Sequence, residues 1–165
     1  MPEETKVREL RRIDVQEVYE VALEAWQYTY EDIYSSDFIQ KFVNENYAPA
    51  LLLRLLPLIQ AGQHFFQVAL AHSTVVGFCH IAQTKQGMEL LRIYLRPAYI
   101  GKGIGRTLLR QGEEFIKSRG YHSYFCFVHK NNELGKSFYL RNGFTHLVEN
   151  DQEDEWHMEK RLANV

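Results

Sequence analysis

Six consecutive residues, Gly101-Lys-Gly-Ile-Gly-Arg106, hold the densest chemistry in the chain. Glycine has no Cβ, so the backbone N–H groups of such a turn can approach a bulky anion. Lys102 and Arg106 add positive charge. Behind the turn, Ile104, Leu108, Leu109, Phe115 and Ile116 recur at helical spacing with Gly112 on the same face, predicting a helix from about Gly103 to Ser118, closed by Gly120. The N-terminus of that helix aims free N–H groups and the positive end of its dipole at the same spot. Ahead of the turn, Gly87–Leu95 is apolar and β-prone, and Pro97 ends it because proline has no N–H for a ladder. Strand, glycine turn and helix together read as a phosphate cradle.

Spacing narrows the phosphate. A P-loop needs two glycines enclosing four residues and then Lys-Ser/Thr; here Gly101 and Gly105 enclose three, and Arg106-Thr107 follow. The dinucleotide fingerprint G-x-G-x-x-G, counted from Gly101, meets Arg106 where its last glycine belongs. That fingerprint also follows the first strand of its unit, whereas four predicted strands precede this turn.

The elements that must position the turn follow from pattern. Lys6–Arg12 reads as a first strand, and Asp14 with Glu17 as a capping-box start of a helix. That helix runs into Trp26-Gln-Tyr-Thr-Tyr-Glu-Asp-Ile-Tyr34, whose aromatics suit either the core or an apolar pocket with polar tips. Ser36 is placed to cap a second helix to about Asn46, and Pro49 to open a third to Gln60, with Pro57 kinking it or marking its last turn. His64–Ala71 and Thr74–Gln83 read as a hairpin around His72-Ser73. Tyr121–Val128 is a further strand, Asn131 or Asn132 caps a short helix to Arg141, and Phe144–Val148 and Glu155–Arg161 make a last strand pair around the acidic turn Glu149–Asp154. Strands separated by a helix suggest parallel pairing, so the fold class is a mixed α/β sheet.

At 165 residues the chain is expected to be a single domain over 1–165, with a hydrophobic share of 45%. A net charge of −2 argues against nucleic acid as a partner. No apolar run is long enough for a membrane span, since Arg54 and Pro57 break Leu51–Ile59, and the acidic start does not resemble a signal peptide. Cys79 and Cys126 lie in strand-like segments and read as buried thiols of a cytoplasmic protein. The seven histidines are scattered, with no metal-ligand spacing, so no metal is expected.

Tyr94–Leu109 resembles the acetyl-CoA signature of the GCN5-related N-acetyltransferases, the GNAT superfamily, with its Gln/Arg-x-x-Gly-x-Gly/Ala core matched at Gly103 and Gly105 and Ile100 standing where Gln or Arg is usual. Asn132-Glu-Leu-Gly-Lys-Ser-Phe-Tyr139 and then Gly143-Phe144 are similar to the family's Asn-x-x-Ala-x-x-Phe-Tyr…Gly-Phe stretch, with Gly135 in place of Ala. Met158–Leu162 resembles its terminal strand, and Trp26-x-x-Thr-Tyr30 with Ile33-Tyr-Ser35 looks like the PaiA-type polyamine (spermidine/spermine) branch.

The resemblance implies a mostly antiparallel central sheet of about seven strands with helices on both faces. It implies transfer of an acetyl group from acetyl-CoA, the co-substrate, to a small-molecule amine such as spermidine by direct attack, and a homodimer as one arrangement. Peptide, amino-acid or antibiotic amines, and a non-catalytic acyl-CoA-binding module, are the alternatives. Ile93, Tyr94 and Leu95 would carry the pantetheine on their backbone, Gly101, Lys102, Gly103, Ile104, Gly105 and Arg106 the pyrophosphate, and Asn132 the pantetheine arm or a helix cap. Arg110 reads as a solvated helix face. Tyr139 would donate to the leaving thiolate, and Glu89 would act as base through water or contact a cationic substrate. Trp26, Tyr30 and Tyr34 would line the amine pocket, and the acidic turn could attract a polyamine.

Overall fold

The structure is a computed structural model and describes residues 4–163. The acidic start, Met1–Glu3, and the final two positions of the expected single domain lie outside the described residues.

Seven strands form one sheet: β1 (Thr5–Glu9), β2 (His64–Ala71), β3 (Thr74–Thr84), β4 (Gly87–Leu95), β5 (Ser123–His129), β6 (Thr145–His146) and β7 (Glu155–Arg161). Their spatial order is β1-β2-β3-β4-β5-β7-β6. Only β4 and β5 pair in parallel; every other neighbouring pair is antiparallel. The cause is connectivity, because the helix between β4 and β5 carries the chain back to the starting end, whereas hairpins reverse it. The β2–β3 hairpin turns on His72 and Ser73, at φ 51° and 64°, the paired left-handed residues that a two-residue turn of matching twist requires. β6 leaves its helix without joining β5, since β7 occupies that edge.

Five helices cover the sheet among the described residues: α1 (Val15–Tyr30), α2 (Ser36–Tyr47), α3 (Pro49–Gln60), α4 (Ile104–Ser118) and α5 (Glu133–Arg141). The period-2 alternation of the central strands makes two cores. Phe66, Val68, Val75 and Phe78 point to α1–α3, while Phe65, Ala69, Val76, Cys79 and Ile81 point to α4. Gly112 lets α4 sit close, because a Cβ there would run into the Ile81 side chain. The two cysteines are buried and unbonded to each other.

Several local expectations are corrected. Asp14 does not cap α1: its backbone is already helical, so the carboxylate instead accepts two bonds from the Arg8 guanidinium (2.7 and 3.0 Å) and one from the Arg11 N–H (2.8 Å). Glu17 accepts from the Val75 N–H at 2.8 Å, tying α1 to β3. Ser35, not Ser36, caps α2, because its extended backbone lets the hydroxyl reach the Phe38 N–H (3.1 Å). The strand expected over Phe144–Val148 shrinks to Thr145–His146: Phe144 is drawn into the core and Val148–Asn150 form a 3-10 turn.

Candidate active site

β4 and β5 share one register pair, Glu89 with Phe125. Beyond it the strands part, and Leu91–Leu95 and Phe127–His129 become opposite walls of a cleft of about 1470 Å³. A register shift between His80 and Ile81 of β3 sets a bulge at Leu91, which adds twist to β4 where the opening begins. Splayed parallel strands leave backbone groups that no neighbouring strand satisfies, and a ligand in extended form can use them.

On one side of the cleft stands the glycine turn. Gly101 and Gly103 have φ of 82° and 84°, a conformation that L residues rarely adopt, and a Cβ built on either would meet open space. Gly105 differs: it is helical, and a Cβ would come within 2.9 Å of the Phe138 ring and 3.9 Å of Leu95. Two of the glycines therefore shape the loop and leave a backbone cradle facing the cleft, while the third lets α5 pack on α4. The ladder of α4 starts with the Thr107 N–H bonding Gly103 (3.1 Å), so the preceding N–H groups have no helical acceptor. A cradle that any side chain would fill, at a helix N-terminus beside cationic side chains, fits the diphosphate of a coenzyme A thioester.

Of the residues named from sequence, Ile93, Tyr94, Leu95, Gly101, Gly103, Gly105, Arg106, Asn132, Tyr139, Trp26, Tyr30 and Tyr34 all line the cleft. Ile104 does not; it is buried in the α4 core. Lys102 lies over the Tyr99 ring, 5.2 Å from its centre, and is not part of the lining. Arg110 is exposed, as read from the sequence, and its exposed face stands on the cleft rim one helical turn beyond Arg106, where Arg141 of α5 joins it. The i, i+4 spacing of Arg106 and Arg110 was the signal for the first; nothing local marked the second.

Of the two roles read for Asn132, the structure shows the helix cap. Its side chain caps α5 by accepting from the Gly135 N–H (2.8 Å), and its amide lies 3.4 Å from the Tyr30 hydroxyl. Gly135 allows this: a Cβ there would stand 2.7 Å from the Asn132 amide nitrogen. Tyr139 is 9% exposed, against Phe138 and Phe144. Burial, and then the neighbouring Cys126, Tyr94 and Tyr30, push its pKa well above the ordinary tyrosine value. The hydroxyl therefore keeps its proton and serves as a hydrogen-bond donor.

The opposite side is aromatic. Trp26 stacks on Phe42 at 4.1 Å and packs against Tyr30 at 4.3 Å, while Tyr34 stacks on Phe38 at 4.5 Å. His129 meets Tyr30 and Tyr34 edge-on at 6.0 and 5.9 Å. The Trp26 indole N–H donates to the Tyr94 hydroxyl (3.1 Å), pinning α1 to β4. The sequence alternatives for this cluster thus hold together: Trp26 and Tyr30 are core residues that also present a face to the cleft. His129 and Phe42 were not singled out from sequence, since each carries a packing environment fixed by segments far away in the chain. Glu153, Asp154 and Glu155 close this end of the cleft.

Glu89 is not a wall residue of the cleft. It is partly buried, and desolvation first and Glu155 second raise its pKa above the ordinary carboxylate value. Among the described residues there is no group of three or more His, Cys, Asp or Glu placed to hold a metal ion, and no helix long and apolar enough to cross a membrane.

Known proteins share this fold. Residues 15–144 match the Acetyltransferase (GNAT) family. The chain is 37% identical over 160 residues to the spermidine N(1)-acetyltransferase of Thermoplasma acidophilum, covering 96% of this chain and 98% of that one. A crystal structure of the PaiA N-acetyltransferase from T. acidophilum in complex with coenzyme A matches with a TM-score of 0.90 and 35% identity, over 96% of this chain and 99% of that one. A GNAT-family acetyltransferase from Staphylococcus aureus Mu50 shares the fold at a TM-score of 0.76 and 18% identity, over 97% and 100% of the two chains. The chain belongs to the GNAT family of acetyltransferases.

Proposed function

We propose that this chain, as one domain over residues 1–165, transfers the acetyl group of acetyl-CoA to a primary amine of spermidine or a closely similar polyamine. The observation that carries the reading is a single cleft passing between β4 and β5, with a backbone anion cradle on one side and an aromatic and acidic wall on the other. The identity to a spermidine N(1)-acetyltransferase over nearly the whole chain supports the choice of acceptor.

In this reading the backbone of Ile93–Leu95 receives the pantetheine as an added strand edge, and Asn132 contacts the same arm. The turn from Gly101 to Arg106 binds the diphosphate through N–H groups, with Arg106, Arg110 and Lys102 adding charge. Trp26, Tyr30 and Tyr34 hold the polyamine, whose methylene stem suits their faces and whose ammonium groups suit both the ring quadrupoles and the carboxylates. An alkylamine with a pKa of about 10.4 arrives protonated and must lose a proton before it attacks. Tyr139 donates a hydrogen bond to the sulfur as the C–S bond breaks. Glu89, off the cleft wall, takes a proton only through an intervening group. Two buried, unpaired thiols support a reducing, cytoplasmic setting.

The test is release of free CoA thiol from acetyl-CoA across spermidine, an aminoglycoside and a peptide amine. Turnover with spermidine at the highest kcat/KM is expected. Tight acetyl-CoA binding with no turnover on any amine would overturn the enzyme in favour of a binding module, and turnover on the peptide alone would overturn the polyamine.

A further inference from the structure

We infer that Glu155, at the start of β7, is the carboxylate that receives the acceptor ammonium and takes its proton. This rests on the acetyltransferase reading above and assigns a catalytic residue within it.

Four carboxylates compete for the role. Asp154 is exposed and already pairs with the Lys130 ammonium at 3.0 Å. Glu153 is exposed at the tip of the loop. Glu89 lies off the cleft wall. Glu155 lines the cleft, is partly buried, and has no cation of the chain against it among the described residues. A partly desolvated carboxylate without a partner is costly to maintain, and a cationic substrate supplies the missing charge.

Its position is fixed by backbone. Glu155 is the register partner of His129 on β5, and the Gln152–Glu155 bridge, with N–H···O bonds of 3.0 and 3.2 Å, folds the acidic loop back on itself. His129 in turn stands edge-on to Tyr30 and Tyr34. His129 Nδ1 accepts from the Asn131 N–H (3.1 Å), so in the neutral ring the proton is on Nε2. The titratable groups around Glu155 are its register partner His129 of β5 and, lining the same cleft, Tyr30 of α1 and Tyr34, with Glu153 and the Asp154–Lys130 pair beside it; Glu89 of β4 feels its charge, and Cys126 packs in the core on the other face of the sheet. Burial is the main cause of the raised pKa values of Tyr30, Tyr34, Glu89 and Cys126, and the charge of Glu155 adds to each. Glu155 thus shares the cleft with His129 of β5 and, across that ring, with Tyr30 and Tyr34.

The ammonium gives one proton to the Glu155 carboxylate, which later passes it to solvent. The freed nitrogen lone pair forms the C–N bond to the thioester carbonyl carbon, and the C–S bond breaks. The nitrogen loses a second proton, and the departing sulfur, hydrogen-bonded by Tyr139, gains one to leave as the thiol. The sum is amide, CoA thiol and one proton released from the ammonium.

The experiment compares the full-length wild type with E155Q, E155D, E89Q and the surface control E114Q. Thiol release with spermidine is followed over pH, and acetyl-CoA affinity is measured by calorimetry. For E155Q we expect a fall in kcat/KM of about 10²-fold and loss of the acid limb of the pH profile, with acetyl-CoA affinity and thermal midpoint unchanged. E155D restores part of the rate and the limb, whereas E89Q lowers the rate less and keeps the limb. An E155Q enzyme within about threefold of wild type with the same acid limb would overturn the assignment, as would loss of the limb in E89Q alone. If the wild type ignores spermidine but acetylates another amine in the panel, the polyamine reading fails by itself. The same variants run on that amine then decide the role of Glu155 by the same limb.

Discussion

On the α4 side of the cleft, the anion cradle comes from six neighbouring residues, Gly101–Arg106, and works through backbone groups. On the far side, Trp26, Tyr30 and Tyr34 from α1 and the turn after it, His129 from β5 and Glu155 from β7 are brought together over more than a hundred positions of chain, and they work through side chains. The first side is set by φ angles and a helix end, which in the proposed function bind any ligand carrying the same diphosphate. The second is set by ring faces and charge, which in that reading distinguish one amine from another. The proposed function therefore makes donor binding and acceptor choice separable, with Tyr139 at the junction.

Changes on the two sides should therefore have different signatures. The largest effect is expected at the junction: Tyr139→Phe lowers kcat by about 10²-fold with acetyl-CoA affinity unchanged, measured by steady-state thiol release and calorimetry. Equal loss of both would place the tyrosine in packing alone. Next, Gly103→Val forces a β-branched residue to a φ of 84° and fills the cradle. Strain of about 1–3 kcal/mol translates to a loss of about 5- to 150-fold in acetyl-CoA affinity, the same for every amine tested. A loss that varied with the acceptor would break the separation. On the far side, Tyr34→Leu removes one ring face, and a cation–π contact of about 1 kcal/mol predicts a rise of about fivefold in the spermidine KM, with the acetyl-CoA KM unmoved.

The smallest effect on activity, and a control for both sides, concerns His80. This residue of β3 is buried beside His64 at 2.9 Å. Burial first, and then the charges of His64 and Arg92, push its pKa down to about 3. Between about pH 6.5 and pH 3 the unfolded chain binds a proton at His80 that the folded chain refuses. Stability is therefore fully present above pH 6.5 and falls as pH drops, by up to about 1.4 kcal/mol per pH unit. Urea unfolding at pH 7, 5.5 and 4.5 checks this, with a flatter dependence expected for His80→Gln.

Much of the fold was legible because the deciding interactions are local. The alternation in His64–Ala71 and Thr74–Thr84 assigned each residue to one of two cores, and the turn at His72-Ser73 supplied the hairpin. The two ends of β6 and the cap of α1 were less legible. Phe144 left the strand for the core, and Asp14 was claimed by Arg8, a choice between partners that only the folded chain presents. At the site, Ile104 and Gly105 matched the motif by letter, yet the structure uses Ile104 as core and Gly105 as a contact surface for Phe138.

By itself the sequence determined the glycine turn, the helix behind it, a cap at Asn131 or Asn132 and the Phe138–Tyr139 pair, because these depend on backbone conformations and spacings within a few residues. Only the tertiary structure decided which charged groups meet the cleft. It turned Glu89 off the wall, put Arg110 on the rim, paired Asp154 with Lys130 and left Glu155 without a cation among the described residues. The reason is physical: a side chain's charge acts on whatever the folded chain brings within a few ångströms, and those neighbours are set by strand register and helix packing.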